Sequence, residues 1–304
     1  MADRSRHDVA VASPYRLDLT VSALRRLSTN IVDVLTPEGE YVRAIGGARR
    51  PVVVRVKQEH PDSIAVTIDG ARSEHAQVLA LVRRILGVDR ELTHFDRAAA
   101  RMPWLRALAL RMRGVKPPRY PSLWEAFVNA IAFQQVSLHA ASAIVRRLIT
   151  TLGQPVESED TLSYVFPSAA QVLGARDELL RSAGLSAGKL ATLRRAGEAL
   201  ASGAMSEAML EERPSADAAV LLRQIKGIGP WTATVILLRG LGRLDVFPMN
   251  DTSVARNLAL VAGSTPLDVG KILDALSPQQ GMLYYHLLLA RLEARGELAE
   301  VPVA

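Results

Sequence analysis

The period of apolar and polar positions changes once along this 304-residue chain, near residue 93, and that change divides it. Between residues 15 and 70, short β-branched runs alternate apolar with polar side chains, at 31–34, 41–45, 51–57 and 64–68. Turn material separates them: Thr36-Pro37-Glu38-Gly39, Gly46-Gly47 and His60-Pro61-Asp62-Ser63. A period of two with polar breaks predicts an antiparallel meander with one solvated face. Residues 21–28 predict a helix beside it, and residues 73–86 an amphipathic helix that opens on Ser73 and covers the sheet.

From residue 93 onward the period becomes helical. Helices are predicted over 93–101, 104–112, 122–133, 138–152, 168–173, 177–183, 187–201, 205–211, 215–225, 231–240, 252–262, 267–276 and 281–295. The basic linker GVKPPRYP at 114–121 cannot be helical, because of its prolines. The pattern predicts an α+β chain: an N-terminal domain with a small antiparallel sheet over residues 1–113, and an all-α domain over 114–304.

Composition narrows the function classes. No cysteine is present, which excludes disulfides, thiolate zinc sites and a cysteine-ligated iron–sulfur cluster. No run approaches the roughly 20 apolar residues of a membrane span, and residues 1–14 lack the apolar core of a signal peptide. A soluble, cytoplasmic protein with no membrane partner is expected. The net charge of +6 suits a nucleic-acid partner, although many proteins without one share such an excess. Arginine outnumbers lysine heavily, which suits bidentate phosphate contacts but follows equally from genomic base composition.

Candidate chemistry concentrates in residues 221–251, LLRQIKGIGPWTATVILLRGLGRLDVFPMND. Gly227-Ile228-Gly229-Pro230 interrupts two apolar helical runs, giving a hairpin over 215–240. Its glycines let the backbone approach a partner closely, and Pro230 suits the first turn of the second helix. The amides from Ile228 to Thr232 are expected to face outward, where they suit a phosphate oxygen. An ordinary corner between helices uses the same punctuation. Asp251, twenty positions after Trp231, stands where it caps the next helix, a contribution of about 1 kcal/mol. The helix dipole favours its charged form, and such a carboxylate can stabilise a sugar cation or orient a water. Phe133-Gln134-Gln135-Val136-Ser137 joins two further helices; adjacent glutamines suit filling a gap in a base stack, and equally suit a polar loop.

These residues resemble the helix–hairpin–helix (HhH-GPD) DNA glycosylases of base excision repair, nearest the bacterial 3-methyladenine (alkylated-base, type II) branch. The resemblance rests on LxxIKGIGPWTA at 222–233, LDVFPMND at 244–251, PSLWEAFVNAIAFQQVS at 121–137, YVFPSAAQVL at 164–173 and SAGLSAGKLATLRRAGEAL at 182–200. With a β-rich N-terminal domain it covers nearly the whole chain. It implies a monofunctional glycosylase that flips damaged, alkylated purines from duplex DNA and removes them hydrolytically, leaving an abasic site. Asp251 then matches the catalytic aspartate. Lys226, Gly227, Ile228, Gly229 and Thr232 match the phosphate anchor, and Gln134 and Gln135 the residues that enter the duplex. Trp231, Phe133, Tyr284 and Tyr285 match the base pocket. The main-chain carbonyls of Arg223, Ile225 and Ile228 match a structural site for sodium or potassium; no other cofactor is implied. The partner implied is double-stranded DNA with damaged bases, bound by a monomer.

Two departures from the branch matter. Where it carries a tryptophan, this chain has Ser277-Pro278-Gln279-Gln280-Gly281, and where a tyrosine is found it has Val235. Each lost ring removes roughly 0.5–2 kcal/mol of attraction for a cationic base, which leaves substrate class more open than reaction type. Trp231 stands where bifunctional oxidised-purine relatives carry a Schiff-base lysine, so lyase activity is not expected. The alternatives are a non-catalytic hairpin protein that binds DNA lesions and a bifunctional glycosylase/AP lyase. His286, in the last helix, is expected to pack rather than react.

Overall fold

The computed structural model describes residues 3–249 and 251–298. A five-stranded antiparallel sheet forms from β1 (Asp3–Ala10), β2 (Val34–Leu35), β3 (Tyr41–Ile45), β4 (Val52–His60) and β5 (Ser63–Gly70), in the order β1-β5-β4-β3-β2. β1 falls in the segment read from sequence only as polar. It is an edge strand: Arg4, Arg6 and Asp8 face solvent while Ser5, His7 and Val9 turn inward. Charged residues along a free edge discourage pairing with another chain, and here they mask the strand period.

The expected wet face of the sheet is solvated along β1, where Arg4, Arg6 and Asp8 lie, but covered along β3 and β4. Tyr41, Arg43, Val54 and Val56 face the main core, and Val42, Val53 and Arg55 lie on the opposite face yet are also buried. A second hairpin covers them, β6 (Gln154–Ser158) with β7 (Thr161–Val165). Arg55 donates to Glu40 at 2.6 Å and to the Ser158 carbonyl, and the Tyr164 amide donates to Ile31 at 2.9 Å. Residues 114–304 are therefore not all helical. Half-exposed and short on apolar residues, this hairpin owes its order to the sheet beneath it, so its own sequence shows little period.

Helices account for the rest: α1 (Leu17–Arg25), α2 (His75–Leu86), α3 (Thr93–Ala100), α4 (Pro103–Arg111), α5 (Leu123–Ala132), α6 (Leu138–Leu152), α7 (Ala169–Gly174) and α8 (Asp177–Ser182). They continue with α9 (Ala187–Ala201), α10 (Glu207–Glu211), α11 (Ser215–Arg223), α12 (Pro230–Gly240), α13 (Thr252–Ala262), α14 (Val269–Leu276) and α15 (Gly281–Glu293). Ser122, Ser137, Ser168, Ser186 and Ser206 each accept an amide three residues on and set their helix starts. Ser73 does not cap α2; a single 3₁₀ turn, Arg72–Glu74, leads into it instead. α1 begins four residues before its predicted start at 21, because it is buried on almost every side and shows no clean stripe. Among the described residues, no helix is long and apolar enough to cross a membrane.

Two apolar cores meet at α1 and α12. Leu17, Val21 and Leu24 of α1, with Val235, Ile236 and Leu237 of α12, belong to a core running from the sheet through α5, α6 and α9. Leu19 and Ala23, with Leu238, belong to a second core formed with α3, α4 and α13 to α15. The second helix of the glycine hairpin is thus fixed on both sides, which holds its first turn rigidly at the surface.

One buried ionic group joins the sheet to α5. Arg43 donates to Asp33 at 2.5 Å and to Glu125 at 2.6 Å, and the Tyr41 hydroxyl donates to Asp33 at 2.9 Å. Burial pushes the Glu125 carboxyl up to about 7; Arg43 opposes this and Asp33 adds to it. The folded state then holds the proton more tightly than the unfolded chain. The resulting stability is fully present below the ordinary glutamate range and is lost as pH rises through about 7. Denaturant unfolding between pH 5 and 8 should show wild type losing about 2 kcal/mol relative to Glu125→Gln. Equal pH slopes in the two proteins would remove Glu125 as the cause.

Candidate active site

The hairpin is built by two glycines with different duties. Gly227 has φ 103°, and a Cβ there would lie 2.0 Å from Thr192 Oγ1 on α9, so no other residue fits. Gly229 has extended backbone (φ −89°, ψ 179°) and open space where a Cβ would stand. It caps α12 without a side chain, and Pro230 takes the first helical position. The amides of Gly229, Trp231 and Thr232 donate to no acceptor among the described residues. The Ile228 amide differs from expectation: it donates to the Ile225 carbonyl at 3.0 Å, closing the turn. Ile228 is itself buried, while Lys226 and Arg223 are exposed.

The two glutamines separate in role. Gln134 Nε2 donates to the Gly227 carbonyl at 3.0 Å and to Thr232 Oγ1 at 2.9 Å, so this side chain braces the hairpin. Gln135 is exposed, in the left-handed region at φ 54°, at the tip of the loop between α5 and α6. Lys189 Nζ supports the loop from behind through the Ala132 carbonyl at 2.7 Å.

Asp251 caps α13. Its Oδ1 accepts the amides of Ser253 at 2.7 Å and Val254 at 3.3 Å, and its Oδ2 accepts the Trp231 indole N–H at 2.8 Å. Both groups are half-buried. The hairpin's first turn and the carboxylate are therefore mechanically one unit: the helix that presents free amides also orients the acid. A carboxylate has about four lone-pair positions; with three donors in place, one direction stays open to a reacting partner.

The aromatic wall is only partly as expected. Tyr285 is no pocket residue. It is fully buried, and its hydroxyl donates to the carbonyls of Pro118 at 3.1 Å and Leu238 at 3.3 Å. Tyr284, one position earlier on α15, is half-buried and edge-on to it. Phe133 is half-buried, under a guanidinium that sequence did not point to: Arg26 lies 3.9 Å above its ring. Arg26 follows α1, whose end is fixed when Arg239 of α12 donates to the carbonyls of Ala23 at 3.0 Å and Leu24 at 2.9 Å. His286 is buried, bonded to the Met282 carbonyl at 2.9 Å, and burial lowers its pKa to about 4. It is packing, as expected.

Residues 128–276 match the HhH-GPD superfamily of base excision DNA repair proteins, a span that contains the hairpin, the braced loop and Asp251. The likeness to this superfamily lies in the helical module. Two relatives illustrate the likeness. The chain is 25% identical over 185 residues to a DNA-3-methyladenine glycosylase of Bacillus subtilis, covering 61% of each. It is 34% identical over 134 residues to DNA-3-methyladenine glycosylase 1 of Schizosaccharomyces pombe, covering 43% of this chain and 54% of the relative. The chain thus spans between half and two thirds of these relatives' lengths. Its fold is also similar to a solved 3-methyladenine DNA-glycosylase from Archaeoglobus fulgidus, with a TM-score of 0.78 and 25% identity over 95% of this chain and 99% of the other. That likeness extends beyond the HhH-GPD module into the N-terminal sheet.

Proposed function

We propose that this HhH-GPD protein is a monofunctional DNA glycosylase that hydrolytically removes damaged purines, alkylated ones among them, from duplex DNA. One observation carries the proposal: Asp251 is held by two amides and an indole N–H beside a hairpin with three free amides. A pure phosphate anchor has no use for a carboxylate next to anionic DNA.

The steps follow from the geometry. A backbone phosphate binds the free amides of Gly229, Trp231 and Thr232, with Lys226 and Arg223 adjoining, so affinity falls steeply with salt. The carbonyls of Arg223 and Ile228 receive no hydrogen bond from any described residue, and that of Ile225 receives only the Ile228 amide. These hard oxygens fit a sodium or potassium ion, which would add positive charge beside the phosphate. Gln135 enters the duplex where the damaged nucleotide has left the stack, and Gln134 keeps the loop locked to the hairpin. Flipping costs a few kcal/mol, less for a weakened pair.

At the sugar, the C1′–N bond breaks with its electron pair leaving on the base. Asp251 stabilises the resulting cation and guides water to C1′; water's oxygen forms the new bond and its proton passes by way of the carboxylate to solvent. Trp231 has no amine, so the route through an imine that defines the lyase reading is closed to this position. We further propose that one copy of the chain suffices, since every group used comes from a single chain.

The test is release of free base from otherwise identical duplexes carrying methylated, deaminated or oxidised bases, together with duplex binding from 50 to 200 mM salt. The proposal predicts release from at least one duplex and an affinity that drops at least about tenfold over that range. Binding without release from any duplex favours a lesion-binding protein instead.

A further inference from the structure

The loop that carries Gln135 ends beside a basic pair that the proposed function leaves unused. His139 and Arg295 are both exposed, and Arg295 Nη1 donates to His139 Nδ1 at 3.2 Å. A guanidinium can only donate, so Nδ1 is the acceptor and the ring proton sits on Nε2. That N–H bonds to no described residue. The carboxylates at this end of α15 are engaged elsewhere: Glu293 pairs with Arg111 at 3.1 Å, and Glu297 accepts from Ser28 at 3.0 Å. No carboxylate among the described residues pairs with Arg295. Leu138 is half-buried against the core that α15 completes, which fixes the start of α6 beside the end of that helix. Ser137 takes the Ala140 amide, whereas the amides of Leu138 and His139 donate to no acceptor among the described residues. Two exposed side-chain donors with no acid, beside the positive end of a 15-residue helix, suit an anion.

We propose that His139 and Arg295 hold a backbone phosphate of duplex DNA, in a second grip separate from the hairpin. The inference rests on Gln135 being the residue that enters the duplex. Gln134, one residue before it, is bonded to the hairpin through Gly227 and Thr232. His139 follows four residues after it, at most about 14 Å of extended chain. Successive phosphates of one strand rise about 3.4 Å along the axis, so a phosphate within about four nucleotides of the gap is in reach of the pair. Gln135 thus stands, along the chain, between two phosphate grips. Arg295 keeps its remaining N–H groups for phosphate oxygens in a planar fork, and His139 adds Nε2–H. Binding energy from both grips then offsets the cost of taking a nucleotide out of the stack. Arg295 lies beyond residues 128–276, so the superfamily match does not account for it.

The experiment measures affinity for a duplex with a stable abasic analogue from 50 to 200 mM salt at pH 8. It compares wild type, Arg295→Met, Arg295→Lys, His139→Ala and Arg72→Met. Arg72, exposed ahead of α2, controls for the loss of one unit of charge. The slope of log affinity against log salt should fall by about 0.9 in Arg295→Met, one phosphate contact, and stay unchanged in Arg72→Met. Arg295→Met should then lose about threefold less affinity than wild type over that range. His139→Ala removes a neutral donor, so it should weaken binding at least about threefold with the slope kept. Arg295→Lys should also keep the slope. Ethylation interference on the same duplex locates the contact: one phosphate should block wild type and Lys226→Met but not Arg295→Met. Equal slopes in Arg295→Met and Arg72→Met overturn the inference, as does a set of blocking phosphates common to all three proteins. A wild type that binds no duplex overturns it together with the reading of Gln135. Base release decides the glycosylase reading separately: two-grip binding without release keeps this inference and removes that one.

Discussion

Asp251→Asn removes base release while leaving duplex binding intact. The substitution is nearly isosteric, and asparagine caps helices about as well as aspartate, so α13 keeps its start and the hairpin its neighbour. What changes is charge and acceptor number. Asp251 now spends one oxygen on the amides of Ser253 and Val254 and the other on the Trp231 indole. An amide side chain has a single acceptor oxygen and must abandon one set of donors. It also cannot stabilise a sugar cation by opposite charge. The expected loss is at least about a thousandfold in single-turnover rate, in the range seen when electrostatic stabilisation of a transition state is removed. Affinity for a duplex with a stable abasic analogue should stay within about threefold, since the phosphate contacts are elsewhere. Trp231→Phe deletes the orienting N–H together with part of the ring, keeps the carboxylate, and should fall between wild type and Asp251→Asn. Wild-type release by Asp251→Asn would leave the carboxylate as a helix cap and nothing more.

Gly227→Ala breaks the hairpin, and Gly229→Ala does not. At Gly227 the added methyl would overlap Thr192 Oγ1 at 2.0 Å and Cγ2 at 2.9 Å, on a backbone at φ 103°. Thr192 cannot simply turn away, because its hydroxyl donates to the Gly188 carbonyl at 2.9 Å within α9. Strain and overpacking together predict a loss of about 2–4 kcal/mol in denaturant unfolding. Thr192→Ala in the same protein should recover part of it by relieving the overlap, though not the dihedral strain. At Gly229 the fold has room and ordinary backbone, so stability should change by no more than about 0.5 kcal/mol. The methyl would instead occupy the space before the free amides, and binding should weaken. Equal destabilisation by both substitutions would contradict this division of duties.

Much of this was legible in the sequence, and what was not has physical reasons. Serine caps and the glycine–proline break show directly, because they act on their own backbone within a few residues. The hairpin and the Asp251 cap are local in that sense. Tyr284 and Tyr285 could not be told apart, since adjacent helix positions differ by about 100° in direction and only the packing of α15 on α12 decides which turns inward. Gln134 and Gln135 differ for a similar reason: one meets Thr232, 98 residues away in sequence, and the other is exposed. The strands β1, β6 and β7 carry little apolar period, as they complete a sheet whose core lies elsewhere. Arg26 gave no signal at all. Its place depends on α1 ending at Arg239, more than 200 residues later in sequence.

The most direct test of the central claim is a single-turnover reaction on a lesion duplex with borohydride present, followed for free base, abasic DNA and protein–DNA adduct together. The account predicts equal amounts of free base and abasic DNA, a strand that stays intact until alkali is added, and no trapped adduct. An adduct would contradict the hydrolytic mechanism assigned to Asp251 and Trp231, and a lesion duplex panel that yields no free base at all would contradict the glycosylase itself.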